Sequence, residues 1–432
     1  MLASLVALVM LVSLAALACA VVFARGLRVG SQADCRPDFR DQDGWLGGDV
    51  AASIPLDAKD GRSVWLFGDS FVVRPGEPAV RRYPFVHNAI AVSHCGARGR
   101  VTFDFAWGDG GEQAAGDGAV RAIETGSTDV PDARTSSPTT PPRAYFEPDP
   151  TAGWVARVKR ETGQAPYYWP ISGVSIEGTL FVALLRIAPA TAHGPFHLPF
   201  RAVGVDLARI DRMEGPPERW SVRLSALSSR GDLLPATSLV VEGDHLLAFA
   251  TRERGDGRTP RVLTRIPLAR LTEWRPDLEP FVETLAREGR WRPGLDADAA
   301  LVLMDDDASE MSVHFDPAVR AWLAVYADPQ RGAIRLRRAR RLEGPWSAPV
   351  ELLRIPELAA VGDPEPGEPF CYAGKAHPEL AAAGRLVVSY VCNVYADRDD
   401  AAFSALERLR TSPGIYRPKL VRLPIPPLPA SD

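Results

Sequence analysis

Three carboxylates and a set of aromatic residues set the chemistry open to this chain. Asp49 follows Gly47-Gly48 and opens an otherwise apolar stretch, Val50-Ala51-Ala52-Ser53-Ile54. Asp69 closes a second apolar run, Trp65-Leu66-Phe67-Gly68, and His87-Asn88 opens a third. Glu310 heads Met311-Ser312-Val313-His314-Phe315. Two carboxylates facing one pocket suit the cleavage of a glycosidic bond. One, protonated, gives its proton to the leaving oxygen; the other, ionised, activates water or attacks the anomeric carbon. Asp49 is the expected base, Glu310 the expected acid, and Asp69 a further catalytic candidate. Trp169 and Tyr168, with Tyr167 beside them, offer flat faces to a sugar ring. His87, Asn88, Lys375 and His377 are expected to hydrogen-bond hydroxyls or tune a carboxylate.

Each of these residues also has a purely structural role open to it. Asp49 would bond backbone amides in a bulge, Asp69 would form an Asx turn, and Glu310 would be a solvated strand end. His377 would be a satisfied core histidine, and Trp169 core. Ser70 has no histidine partner in a recognisable frame and no G-x-S-x-G is present, so an esterase triad is not expected. Neither a metal nor a cofactor is expected, since Cys-x-x-Cys and close Cys/His spacings are lacking.

These residues need elements to bring them together. A strand–turn–strand pattern opens near positions 49, 170, 237, 310 and 375. Recurring strands with turn signals predict an all-β fold, a five-bladed β-propeller with four-stranded blades. Blades are expected at about 43–106, 165–228, 233–300, 308–354 and 370–425. A polar insertion at 107–143 reads as a solvated loop or a lid. Residues 276–300 read as helical or irregular, and a short helix is expected at 400–410. The first strand of each blade would line a central channel. Asp49, Trp169, Thr237, Glu310, Lys375 and His377 would then converge from different blades.

Composition bounds the partners. The chain has 432 residues, 46% hydrophobic, with a net charge of −4, so a basic nucleic-acid surface is not expected. The 39 prolines and 36 glycines mark a turn-rich chain. Residues 1–24 are uncharged from Leu2 to Ala24, long enough to span a bilayer. This segment is expected to be a signal peptide or a membrane anchor, with a lipoprotein site at Cys19 as one form. The protein is therefore expected to be exported: periplasmic, secreted or anchored. Any contact with a membrane would be through this segment alone, and residues 25–432 would be the propeller. Beyond the leader lie Cys35, Cys95, Cys371 and Cys392, an even number that suits an oxidising compartment. Cys371 and Cys392 sit on what read as adjacent strands and form the first expected pair, leaving Cys35 with Cys95. A monomer is expected.

Several motifs carry a family resemblance. They are Gly-Gly-Asp, Trp65-Leu66-Phe67-Gly68-Asp69-Ser70-Phe71, His87-Asn88, Tyr168-Trp169-Pro170, Gly344-Pro345-Trp346-Ser347 and Lys375-Ala376-His377-Pro378-Glu379. Over about residues 43–425 the chain resembles secreted five-bladed propellers of the DUF4185-like group, similar in fold to glycoside hydrolase family 43. The resemblance implies a base Asp on blade one, a second Asp on blade two and an acid Glu on blade three. Asp49 matches the first. Blade two has no acidic residue at the matching start, and blade three opens Pro235-Ala236-Thr237 with Glu242 in its turn. Glu310 stands in by position. The expected function is carbohydrate cleavage, with a polysaccharide or surface glycan as partner. The alternatives are a non-catalytic propeller binding glycan or protein at the envelope, and a structural propeller whose 107–143 loop contacts a partner.

Overall fold

Short apolar runs broken by glycine-bearing turns fold into hairpins. Glu177 (φ 50°) and Gly178 (φ 82°) both take left-handed backbone, the geometry a tight two-residue hairpin needs. The structure is a computed structural model that describes residues 34–40, 44–57, 61–73, 84–108, 141–193, 198–253, 259–305, 308, 310–358, 369–394, 409 and 413–427.

The described chain is nearly all β. Its first four-stranded antiparallel sheet orders Ala52–Asp57, Arg62–Phe67, Ala89–Cys95 and Val101–Ala106. Its second orders Tyr167–Ile176, Thr179–His193, Leu198–Ile210 and Arg223–Ser228. A five-stranded sheet runs from Leu233–Glu242 through His245–Arg252 and Arg261–Pro267 to Glu283–Leu285 and Trp291–Pro293. Ser312–Asp316, Ala321–Asp328, Ala333–Ala339 and Val350–Arg354 form the next. Pro369–Ala376, Arg385–Val394 and Lys419–Pro424 form a three-stranded sheet. A further small sheet pairs Trp45–Gly48 with Ser70–Val72 and Phe85–Val86. The strands at 283–285 and 291–293 replace the helical or irregular reading of that region. Runs of three residues are too short to show a period; pairing to Thr264 and Arg265 decides the first, and the second pairs with the first. The helix Gly153–Thr162, ended by left-handed Gly163 (φ 71°), was not anticipated.

The first strand of one sheet packs on the first strand of the next. Serines fasten these seams. Ser172 Oγ donates to the Ala236 carbonyl at 2.6 Å. Ser238 Oγ accepts from the Val313 amide at 3.0 Å, and Ser312 Oγ from the Ala376 amide at 2.7 Å. Ser53 Oγ meets His377 Nδ1 at 2.7 Å, joining the first sheet to the last. Gly173 serves the seam between the first two sheets by lacking a side chain: a Cβ there would lie 2.4 Å from Ile54 Cδ1. The result is propeller-like, with apolar clusters between the sheets.

Two disulfides join Cys35 to Cys95 and Cys371 to Cys392, the expected pairing. They span 60 and 21 positions. Because a longer loop loses more unfolded-state entropy when closed, opening the first should cost about 1 kcal/mol more than opening the second. Urea melts of the two Cys→Ser pairs check this. The leader, most of the 107–143 insertion and nearly all of 400–410 lie outside the described residues. Among the described residues no helix is long and apolar enough to cross a membrane.

Candidate functional site

Asp49 sits where the chain leaves one sheet for another. Val50 (φ 65°) and Ala51 (φ 48°) occupy the left-handed region, an outlier for a β-branched residue that costs about 1–3 kcal/mol each. The surrounding backbone holds them there. The Ala51 and Gly68 amides donate to the Asp49 carbonyl at 2.8 and 3.2 Å, and the Asp49 amide donates to the Asp69 carbonyl at 3.3 Å. Gly68 is needed because a Cβ would stand 2.3 Å from Asp49 Oδ1. Gly68→Ala should push the carboxyl aside and lower any Asp49-dependent turnover by about 10²-fold, the typical cost of a misplacement near 1 Å. Steady-state kinetics, with a melting curve to establish folding, tests it.

The phenols of Tyr372 and Tyr416 both donate to Asp49 Oδ2, each at 2.7 Å. Burial pushes the Asp49 carboxyl up to about 8, helped by the charges of Asp69 and Glu310; the two phenol hydrogen bonds oppose this and lose. Both tyrosines are themselves held well above their usual range, by burial first, so they stay donors. With Oδ2 committed twice as an acceptor, a proton on Asp49 belongs on Oδ1.

Asp69 is arranged in the same way. Its Oδ1 lies 3.2 Å from His87 Nδ1 and accepts from Trp169 Nε1 at 2.8 Å, leaving Oδ2 for another partner. His87 stacks on Tyr167 with centroids 3.5 Å apart and planes 5° from parallel. Trp169 meets Tyr167 and Phe200 edge to face. Asp49, Asp69, His87, Tyr167 and Trp169 all keep part of their surface open to solvent. Together they bring two carboxylates and an aromatic surface into one partly exposed cluster.

Glu310, 8% exposed, bears electrostatically on Asp49 and forms an ion pair with Lys375 (Nζ–Oε2 3.1 Å). Lys375 is 2% exposed, and its ammonium also donates to the carbonyls of Ile171 (3.0 Å) and Met311 (3.4 Å). Burial pulls its proton affinity down while Glu310 pulls it back. Paired in this way, Glu310 is poorly suited to the expected role of proton donor.

Bulges aim these side chains. Pairing registers slip between Pro170 and Ser172, Leu234 and Ser238, and Tyr372 and Lys375. Left-handed Ala373 (φ 53°) and Gly374 let Tyr372 and Lys375 both serve the site, although simple alternation would put them on opposite faces. At Gly374 a Cβ would lie 2.2 Å from the Ala327 amide nitrogen.

Four expected substrate contacts lie in the interior instead: Lys375, spent on Glu310 and two carbonyls, and three more. Tyr168, 1% exposed, gives its hydroxyl to Asp206, which also holds Arg186. Asn88 spends its side chain on the Phe146 and Tyr168 carbonyls and the Phe146 amide. His377 is 0% exposed, packs on Trp65, and has both ring nitrogens bonded, to Ser53 and Ser389 (2.7 and 2.8 Å). Burial lowers it to about 3, so it is neutral. Polar residues at strand ends read alike whether they face the channel or the seam. Sequence reasoning also missed Tyr372, beside the bulge at Ala373-Gly374, and Tyr416 and Glu379, which lie in short 3-10 turns with no periodic signature.

A family model described as "Domain of unknown function (DUF5005)" matches residues 37–424. The chain belongs to the DUF5005 family. That replaces the DUF4185-like assignment drawn from the motifs. No curated protein matches this DUF5005 member. A candidate hydrolase from Bacteroides ovatus ATCC 8483 is similar to it in structure, with a TM-score of 0.57 and 17% identity over 89% of this chain and 87% of that one. At that identity the likeness is one of fold. More remote likenesses include a GH43_1 enzyme from Xanthomonas citri complexed with xylose (TM-score 0.41, 12% identity, 92% and 93% covered). A GH62 α-L-arabinofuranosidase catalytic domain from Coprinopsis cinerea is another (0.38, 10%, 91% and 95%).

Proposed function

We propose that this DUF5005 protein is an exported glycoside hydrolase, built as a five-bladed propeller whose blades are the five larger sheets. Its substrate is a polysaccharide or surface glycan. The observation that carries the reading is the Asp49–Asp69 pair, in which each carboxyl has one oxygen committed and the other left for a reactant. Asp49, still protonated at neutral pH, gives the proton on Oδ1 to the leaving oxygen. Asp69, its Oδ1 fixed by Trp169 and His87, presents Oδ2 to water or to the anomeric carbon. This reverses the role expected of Asp49 and moves the base or nucleophile role to Asp69. The charge of buried Glu310, which is paired to Lys375, adds to what keeps Asp49 protonated. The His87–Tyr167 stack and Trp169 supply flat faces for a sugar ring. The two disulfides and the uncharged leader support export.

The test is release of reducing sugar from arabinans, xylans and envelope glycans by the full chain and by Asp69→Asn. Release by the wild type, lost in the variant, is the expected result. Binding of a glycan by both proteins with no release by either would replace the hydrolase with a glycan-binding propeller.

A further inference from the structure

The seam behind Asp49 holds a hydrogen-bonded chain that the proposed chemistry does not use. Glu379 is 1% exposed, and its Oε1 shares a short hydrogen bond with Ser53 Oγ. Ser53 Oγ lies 2.7 Å from His377 Nδ1, and His377 Nε2 lies 2.8 Å from Ser389 Oγ. Ser389 Oγ is 3.4 Å from the carbonyl of Ala51, one of the two left-handed residues that follow Asp49. Glu379 Oε2 has no hydrogen-bond partner. A buried ionised carboxylate with an empty oxygen is costly.

Counting protons gives this chain two directions. A serine hydroxyl has one proton, and a neutral imidazole carries one N–H. If Glu379 is ionised, Ser53 donates to it, His377 Nδ1–H donates to Ser53, and Ser389 donates to Nε2. Ser389 then has no proton for Ala51. If Glu379 is protonated, it donates to Ser53, Ser53 donates to Nδ1, and His377 Nε2–H donates to Ser389. Ser389 then donates to the Ala51 carbonyl. His377 changes tautomer between the two without changing charge, which suits an imidazole that burial keeps neutral.

We propose that Glu379 is a positioning residue: its protonation sets the direction of the Ser53–His377–Ser389 chain and so makes or withdraws the hydrogen bond to the Ala51 backbone that presents Asp49. Its consequence for Asp49 rests on the hydrolase reading; the tautomer exchange does not. Burial holds Glu379 at about 7, opposed by the Ser53 bond, which places the exchange near neutrality. The charged and titratable groups around the chain are few. Lys375 and His314 bear electrostatically on His377, and Arg422 donates to the Leu380 carbonyl beside Glu379. Lys375 is paired to Glu310, and burial keeps His314 neutral down to about 4.

The full chain with ¹⁵N-labelled histidine reports the tautomer directly through two-bond ¹H–¹⁵N correlations, with His377 assigned by His377→Gln. The N–H of His377 is expected on Nε2 on the acid side of neutrality and on Nδ1 on the alkaline side. In Glu379→Gln, whose amide donates to Ser53 at every pH, it should stay on Nε2. A wild-type His377 that keeps one tautomer throughout would overturn the proposal without any variant. So would an exchange that persists in Glu379→Gln. Neither result depends on a substrate, so a chain that proves not to hydrolyse glycans leaves this test intact.

Discussion

Asp49→Asn is expected to lower kcat/KM for glycan cleavage by about 10²- to 10⁴-fold, the range a general acid contributes. The amide oxygen can still accept from Tyr372 and Tyr416, so the pocket keeps its shape, but there is no proton to deliver. In the wild type, activity should fall as pH rises through about 8, where Asp49 loses that proton. Stability gives a second readout. Between the ordinary 3.8 and about 8, the folded protein keeps a proton on Asp49 that the unfolded chain has released. Folded stability therefore declines as pH rises across that window, by at most about 1.4 kcal/mol per pH unit from this group. Removing the titration removes that part of the slope. Asp49→Asn should match the wild type at the acid end and exceed it at pH 8 in urea melts, although Glu379 adds a slope of its own in both proteins between 4.5 and about 7. An Asn variant that cleaves at the wild-type rate would show that the proton comes from elsewhere.

Lys375→Met should cost about 3–5 kcal/mol of stability, because it strands a buried carboxylate. The loss is larger than that of one contact. Lys375 is the counter-charge of Glu310 and also donates to the Ile171 and Met311 carbonyls, which belong to two other sheets of the ring or their approaches. Asp49 would lose a nearby positive charge as well. Adding Glu310→Leu removes the stranded charge and should recover much of the deficit, since a buried pair is often replaceable by apolar residues of similar volume. A chemical-denaturation cycle over the four proteins checks both statements. Equal stability of the single and double variants would mean that the two lost carbonyl hydrogen bonds, not the unpaired Glu310, carry the cost.

The sequence disclosed the site's charges better than its construction. Asp49, Asp69, Glu310, Lys375, His87 and Trp169 stand out because a charged or aromatic residue at either end of an apolar strand is conspicuous in any pattern of period two. All six are drawn together in the structure. The alternation that revealed them also hid their neighbours. Tyr372 and Lys375 serve one pocket only because Ala373 and Gly374 break the alternation between them. Tyr416 reaches Asp49 from a short 3-10 turn, Pro413–Tyr416, with no periodic signature. His377, Asn88 and Tyr168 look identical to channel residues in the sequence, and only the opposing seam tells them apart. The disulfide pairs were readable from adjacent strands and from elimination. The strands within 276–300 were not, because each is three residues long and the first, 283–285, is paired by residues some twenty positions earlier.

The Asp49 clamp also fixes which parts of the chain must meet before that carboxyl is held. Tyr372 is 323 positions and Tyr416 is 367 positions from the carboxyl they hold. A chain emerging from the ribosome makes Asp49 early and the two phenols that hold it more than three hundred residues later. Until the final sheet has joined Ser53 across the closing seam, Asp49 is an ordinary aspartate beside a half-made ring. On the proposed hydrolase reading, turnover therefore needs segments from both ends of the described chain, and a fragment cut short of residue 416 should lose most of it.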